Sequence, residues 1–418
     1  MTATGQERTS SGSRCPVCGG GPVRAFVQVR DVPVHCHLLM RTREAARAAA
    51  RGRIELGFCR GCGHVFNLAF DPARMRYGQD YENTLDFSPH FQSYAASLAQ
   101  RLVDRYGLHG KTVVELGCGD GAFLHRICRL GDNRGVGFDP GHRPDAAAAE
   151  GAPATPRRAP VTILGETYSS KHAGLRPDLV CCRHVLEHVP DPRAFLAEVR
   201  AAIGDRSGTA LYFEVPNGAF TWRDNGIWDL IYEHFSYFSA ESLETLFRAS
   251  GFDVVDLREA YDGQFLGVEA RPGEGPRETP AVHGPVPEAR IKAFARAYRE
   301  KCDTWRKTLD GLAERGERAV VWGAGSKAVS FLNIFFPPDD ASPEPLPCPV
   351  AHVVDINPRK HGFYTTGSGH EIVAPERLRH APPDAIIVMN PVYRAEIEET
   401  VRDLLPTDRA RAVTWLDA

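Results

Sequence analysis

The sequence predicts an α/β protein: a Rossmann-like mixed sheet of seven strands with helices on both faces, bracketed by a small cysteine-rich module and a second Rossmann-like α/β domain. Three observations predict it. First, Lys111-Thr112-Val113-Val114 is a β-branched run suited to a buried strand. Glycines at 117, 119 and 121 follow it, then helical spacing from Ala122 to Cys128. Second, Cys15-Pro16-Val17-Cys18 and Cys59-Arg60-Gly61-Cys62 form two Cys-x-x-Cys pairs, each followed by glycine. Third, Ala319-Val320-Val321-Trp322 leads into Gly323-x-Gly325-x-x-Ala328, a second strand–turn–helix unit.

Composition bounds the function. The chain has 418 residues, 43% hydrophobic and 25% charged, as in a soluble globular enzyme of two or three domains. A net charge of −3 gives no basic field, so no nucleic-acid partner is expected. No run of 18 apolar residues exists, so no membrane-spanning helix is expected. The polar stretch Met1–Arg14 lacks an apolar signal core, which predicts a disordered tail and a cytoplasmic protein. The expected boundaries are 1–13 for the tail, 14–75 for the cysteine-rich module, 76–271 for the central domain, 272–288 for a linker and 289–418 for the last domain. The oligomeric state stays open, with a monomer favoured.

The spacing of the first glycine turn selects its ligand. Glu115 lies two residues before Gly117-x-Gly119-x-Gly121, which is not the dinucleotide pattern Gly-x-Gly-x-x-Gly. A carboxylate there suits a cationic ligand carrying an amino group and a sulfonium. Gly135-Val136-Gly137-Phe138-Asp139 is a strand ending in an acid 22 residues after Gly117, placed to accept ribose hydroxyls. These residues resemble motif I of the class I S-adenosylmethionine-dependent methyltransferases. The resemblance implies that Glu115, Gly117, Cys118, Gly119, Gly121 and Asp139 hold the cofactor. Pro177–Cys182 reads as the fourth strand, neighbour of the first. By the same resemblance its end lies beside cofactor and substrate, which makes Arg183 a cofactor candidate and His184 and His188 substrate candidates.

Four thiolates from Cys15, Cys18, Cys59 and Cys62 suit a closed, structural Zn²⁺ site, although 40 residues separate the two pairs. Cys36, between His35 and His37, reads as a half-buried loop thiol in preference to an extra metal ligand. The arginines from Arg41 to Arg53 read as one helix with a solvated basic face, or one that touches phosphates. The aromatic stretch Phe66–Tyr94 serves either as a lid over substrate or as packing between modules. A helix follows from Ser93 to Tyr106, then the first strand. Gly141–Pro160 reads as a short helix and loop. Gly208–Pro216 is the fifth strand, Ser239–Gly251 a serine-capped, glycine-stopped helix, and Phe252–Leu257 with Phe265–Ala270 the final antiparallel pair. The proline- and glycine-rich stretch Arg271–Glu288 is a linker. Beyond it Ile291, Phe294, Tyr298, Cys302, Trp305, Leu309 and Leu312 form one stripe on a helix roughly 40 Å long, read as a strap between domains. Val353-Val354-Asp355 places an acid 32 residues after Gly323. Dinucleotide binding there is weighed against a turn kept for substrate binding or support, and the second is favoured.

The most unusual stretch is Tyr232-Glu233-His234-Phe235-Ser236-Tyr237-Phe238. A carbon nucleophile must first become an enolate, which needs a base, and histidine has a suitable pKa. Read alone, Glu233 and His234 are either that machinery or polar residues at a helix start. The chain as a whole, over about residues 15–415, resembles the three-domain sugar C-methyltransferases of deoxysugar biosynthesis, typified by the tetronitrose C-3 methyltransferase. The cysteine pairs, Glu115–Gly121, the Glu233-His234 run, Asp355-Ile356-Asn357-Pro358-Arg359-Lys360-His361-Gly362 and Met389-Asn390-Pro391 carry the resemblance. It implies that His234 removes the proton beside the ketone of a nucleotide-linked keto-deoxysugar, that Glu233 assists, and that the enolate takes the methyl. The family reads Tyr-His-Glu-His where this chain has Ile231-Tyr232-Glu233-His234. Tyr232 therefore stands in for a histidine and is a third catalytic candidate. Candidate substrate contacts are Tyr81, His184, His188, Asn217 and Tyr237. Two other readings are an O- or N-methyltransferase of another small metabolite, and a nucleic-acid methyltransferase or binding module using zinc and the Arg41–Arg53 stretch.

Overall fold

The computed structural model describes residues 14–75, 81–142, 161–276, 288–338 and 348–418. The expected tail, most of the helix and loop at 141–160, and most of the 272–288 linker lie outside the described residues. Among the described residues no helix is long and apolar enough to cross a membrane.

The N-terminal module is a hairpin of β1 (Val23–Pro33) and β2 (Arg51–Cys59), joined through α1 (Arg43–Arg47) and extended by β3 (Val65–Asn67). The hairpin covers the 40-residue gap between the two cysteine pairs and brings them together at one end. The single helix expected over Arg41–Arg53 is corrected. Only Arg43–Arg47 is helical, because Arg51 and Arg53 pair in β2 with Pro33 and Arg30. Arg41 and Arg43 stack on Phe363 and Tyr364, and Arg51 bonds Asp31 and Asn333. The five arginines therefore present no common basic face.

The central domain begins with α2 (Pro89–Tyr106), capped by the Ser88 hydroxyl on the Phe91 N–H. It continues as β4 (Thr112–Leu116), α3 (Ala122–Gly131), β5 (Arg134–Phe138), β6 (Val161–Leu164), β7 (Leu179–Arg183), α4 (Pro192–Ile203), β8 (Ala210–Pro216) and α5 (Gly218–Arg223). A short β9 (Ser236–Tyr237), α6 (Ala240–Ala249), β10 (Phe252–Ala260) and β11 (Phe265–Pro272) complete it. The seven strands run in the order β10-β11-β8-β7-β4-β5-β6, with β11 antiparallel to both neighbours and the others around β4 parallel. β9 leaves this sheet and pairs with β3, so the N-terminal module takes its fourth strand from the central domain.

The last domain opens with α7 (Glu288–Glu314). Its apolar stripe is buried: Phe294 meets Trp222 of α5, and Trp305 meets Phe331, at ring centroids 4.8 and 5.0 Å apart. Phe331 lies on α8 (Ser326–Phe335), which follows β12 (Ala319–Trp322). With β13 (Val350–Val354), β14 (Ile372–Val373), β15 (Ala385–Val388), α9 (Arg394–Leu404), α10 (Thr407–Ala412) and β16 (Thr414–Asp417) they form a parallel five-stranded sheet, ordered β14-β13-β12-β15-β16.

Candidate active site

Strand ends place the polar groups. β4, β5, β7 and β8 stop along one edge, where ligands collect in open α/β sheets. A cavity of about 1760 Å³ opens there, lined by Glu115, Gly117, Cys118, Gly119, Asp139 and Arg183. Gly117 has φ +63°, and a Cβ on it would sit 2.2 Å from Val185 Cγ2, so only glycine fits. Gly121 (φ +78°) starts α3 behind the turn. Asp139 organises the turn by accepting from the N–H groups of Gly119 and Gly141, both at 2.8 Å. Glu115 is buried, its Oε2 has no partner among the described residues, and burial pushes its carboxyl up to about 8. An orphaned carboxylate above a glycine turn fits a cationic ligand such as S-adenosylmethionine.

Arg183 donates from Nε to Glu214 Oε1 at 3.0 Å and stacks on Phe123 at 4.4 Å. Glu214 also meets His184 Nε2 at 3.2 Å and accepts from the hydroxyls of Tyr212 (2.7 Å) and Tyr94. Burial opposes its charge, but Arg183 and His184 outweigh burial and hold it well below the carboxylate range. His184 adopts φ +56°, a left-handed conformation rare for a non-glycine residue, held here at the strand end.

His184, His188 and His234 line the same cavity. The His234 ring lies 5.0 Å from that of His188 and 5.9 Å from that of Tyr237. Its nitrogens have no hydrogen-bond partner among the described residues. Burial, reinforced by His188, holds its pKa well below the usual value, so the imidazole is neutral and has a nitrogen lone pair to offer. His188 Nδ1 lies 2.9 Å from the Glu233 carbonyl oxygen. A carbonyl only accepts, so Nδ1 carries the proton and Nε2 is the ring's acceptor.

Glu233 does not line the cavity. Its carboxylate turns into the N-terminal module, where Oε2 accepts from the Cys36 N–H at 3.0 Å and Oε1 sits 3.4 Å from His35 Nδ1. Burial opposes its charge, but His35, His37, His188 and the Cys36 N–H together hold it at about 2. Cys36 is accordingly buried, not half-buried, and it packs beside Ile231.

Three expected site residues have their polar groups engaged by other parts of the chain. Tyr232 is 1% exposed and does not reach the cavity; its hydroxyl accepts from the Asp71 N–H at 2.9 Å, and its ring stacks on Phe70. A Cβ on Gly52 would lie 2.4 Å from that ring, so β2 is fitted to it. Tyr237 closes the 231–237 loop, accepting from the Ile231 N–H (3.2 Å) and donating to the Ile231 oxygen (3.0 Å). Asn217 lies at the cavity wall, but its amide caps α5 and bonds Glu259 and the Gly263 oxygen. Tyr81 does line the cavity and stands edge-on to His37. Its neighbour Glu82 reaches Asn357 and Arg359 of the last domain.

That domain supplies the opposite wall through Gly323, Gly325, Lys327 and Asn357, with Lys327 paired to Asp229. Asp355 is buried, accepts from the N–H groups of Ala324 (2.6 Å) and Asn357 (2.8 Å), and lies 3.5 Å from Lys360 Nζ. Both its oxygens hold the turn itself together. At the far end of the N-terminal module the Sγ atoms of Cys15, Cys18, Cys59 and Cys62 lie within 4.8 Å of one another, with two pairs at 3.6 Å. Tetrahedral thiolates at ~2.3 Å from a Zn²⁺ ion stand about 3.8 Å apart, so the donor set fits that ion.

A family model for a methyltransferase domain matches residues 90–257, and one for a C-methyltransferase C-terminal domain matches residues 286–412. The C-methyltransferase NovU of Streptomyces niveus is 29% identical over 409 residues, 94% of this chain and 92% of that protein. The ubiquinone biosynthesis O-methyltransferase of Photorhabdus laumondii subsp. laumondii is 40% identical over 91 residues, 21% of this chain and 36% of that protein. Among solved structures, the 1,6-didemethyltoxoflavin-N1-methyltransferase of Burkholderia thailandensis, with bound 1,6-didemethyltoxoflavin and S-adenosylhomocysteine, is 18% identical with a TM-score of 0.35. It covers 50% of this chain and 96% of its own.

The sheet order and the two matched domains define an S-adenosylmethionine-dependent methyltransferase of class I. More particularly, the chain carries both a methyltransferase domain and a C-methyltransferase C-terminal domain, and along nearly its whole length it is similar to a C-methyltransferase.

Proposed function

We propose that the chain methylates a carbon beside the ketone of a nucleotide-linked keto-deoxysugar in the cytoplasm, with His234 as base. The observation that carries this reading is the juxtaposition of a neutral His234 and the Glu115–Asp139 glycine turn on the wall of one cavity. The full-length likeness to a C-methyltransferase supports carbon as the acceptor atom. Glu115, Asp139 and Arg183 hold S-adenosylmethionine, which supplies an electrophilic methyl group when bound. His234 takes the proton from the substrate carbon, and the carbanion charge passes to the ketone oxygen. Glu233 is a positioning residue: its carboxylate pins the 231–237 loop to His35 and Cys36, while its carbonyl fixes the His188 tautomer. His188 Nε2 then accepts from a substrate hydroxyl. The wall around Gly323 and Lys327 faces the nucleotide end of the substrate, and the four cysteines hold a structural Zn²⁺.

The reading is tested by incubating the enzyme with a nucleotide-linked 4-keto-6-deoxysugar in heavy water, without and then with S-adenosylmethionine. NMR is expected to show deuterium beside the ketone, then a new methyl on that carbon. No exchange and no methyl across a panel of such sugars would move the acceptor to oxygen or nitrogen.

Cofactor binding has its own signatures. Asp139→Ala is expected to abolish calorimetrically detectable binding of S-adenosylmethionine, because the turn loses its organiser; wild-type affinity would remove Asp139. Near pH 7 the Glu115 carboxyl, at about 8, is mostly protonated in the free enzyme. A cation beside it favours ionisation, so binding releases a proton and weakens as pH falls below that value. Calorimetry in buffers of different ionisation enthalpy reads that release, and Glu115→Gln is expected to lose it.

A further inference from the structure

A polar cluster on the cavity wall contains a gap that the protein does not fill. Glu187 is 2% exposed, and its Oε2 has no partner among the described residues. Its Oε1 stops 3.8 Å from His184 Nδ1 and 3.9 Å from His188 Nε2, beyond hydrogen-bonding distance. Glu187, His188 and His234 each offer one ligand atom, and these atoms lie within 4.8 Å of one another. His188 has its Nδ1 engaged by the Glu233 carbonyl, which orients the ring with Nε2 toward Glu187. A carbonyl on the far nitrogen is the usual support of a metal-binding imidazole.

We propose that Glu187, His188 and His234 form a binding site for a first-row divalent transition ion, separate from the four-cysteine site. Two imidazoles and one carboxylate on one side of an open cavity suit Zn²⁺, Co²⁺, Ni²⁺ or Fe²⁺ and leave positions for water. Ligands at 2.0–2.2 Å from one ion stand about 3 Å apart, so the cluster contracts by roughly an ångström on binding. The inner wall tolerates this, because His234 is half-buried and its ring is held by no hydrogen bond. Coordination takes the His234 lone pair that proton abstraction needs. The ion and the substrate carbon therefore compete for His234, and the ion inhibits; this last consequence rests on His234 being the base.

The test is a titration of the zinc-loaded full chain with Co²⁺, read by visible absorption. One added equivalent is expected, giving d–d bands without the thiolate charge-transfer band that cobalt in the cysteine site would show. Glu187→Gln and His188→Gln are each expected to weaken it at least ~10-fold, the loss seen even for an outer-sphere partner. Two variants guard against one failing to fold. No band up to millimolar Co²⁺, or a band unchanged in both variants, overturns the site. Slowing of the deuterium exchange by Co²⁺ reads the competition separately. Binding without slowing overturns the inhibition and leaves the site, while an enzyme that shows no exchange at all leaves the absorption result intact.

Discussion

His234→Asn leaves S-adenosylmethionine binding intact and lowers methyl transfer at least ~100-fold, the usual contribution of a general base. Asparagine keeps the size and a polar end of the side chain but cannot take up a proton near neutral pH. The two halves of the outcome separate because the residues lie on different elements. Glu115 lies near the end of β4 and Asp139 directly after β5, whereas His234 sits in the loop before β9. The loop itself should survive, since it is held by the Tyr237 hydroxyl on the Ile231 backbone and by the Glu233 carboxylate, and neither hydrogen-bonding group involves the His234 ring. Calorimetry gives the cofactor affinity, and the rate of methyl incorporation gives the catalytic loss. A near wild-type rate would remove His234 as base and leave His188, 5.0 Å away, as the next imidazole to test.

The glycine turn, its two acids, six strands of the central sheet and the cysteine pairs were legible because each is a local pattern: strand periodicity, a turn that needs glycine, a ligand spacing; β6 was not. What the sequence hid depends on contacts across long separations. Glu233 meets Cys36 over 197 residues, and nothing near either residue announces the pair. Tyr232 sits next to Glu233 and His234 and yet faces away from the cavity, because the loop directs its ring into the hairpin where β2 carries Gly52. The arginine stretch looked helical by its alanines, and pairing with β1 overrode that propensity. Glu214 did leave a signal: a carboxylate in the otherwise apolar Ala210-Leu211-Tyr212-Phe213-Glu214-Val215 needs a buried partner, and Arg183 and His184 supply it. Glu187 is the same kind of sign in the turn after β7, a fully buried acid between two histidines.

Cys59→Ser, or chelation of the four-cysteine site, is expected to reduce methyl transfer as severely as His234→Asn while the cofactor still binds. The Cys15 and Cys59 thiols are buried and pack with Val23 and Phe66 of the module and Phe238 of the central domain. A structural zinc site contributes on the order of 10 kcal/mol to the fold that holds it, comparable to the whole stability of a typical domain. Without it the two cysteine pairs lose their tie, the cysteine end of the β1–β2 ladder is expected to fray, and the His35–Cys36 loop at its other end to leave Glu233. That carboxylate then has no partner in a buried place, which costs about 3–5 kcal/mol unless the 231–237 segment opens to water. Opening that segment would displace His234, so a metal in the four-cysteine site, remote from the cavity, would control the proposed base through one carboxylate. Glu115 lies in β4 and Asp139 directly follows β5, so both stay in place, which is why cofactor affinity should change little. Hydrogen exchange read by mass spectrometry is expected to rise in β1, β2 and residues 231–237 together, and to stay low in β4. Retained methyl transfer in the metal-free protein would show that the module and the base are not coupled. Faster exchange in β1 and β2 alone would place the coupling elsewhere than at Glu233.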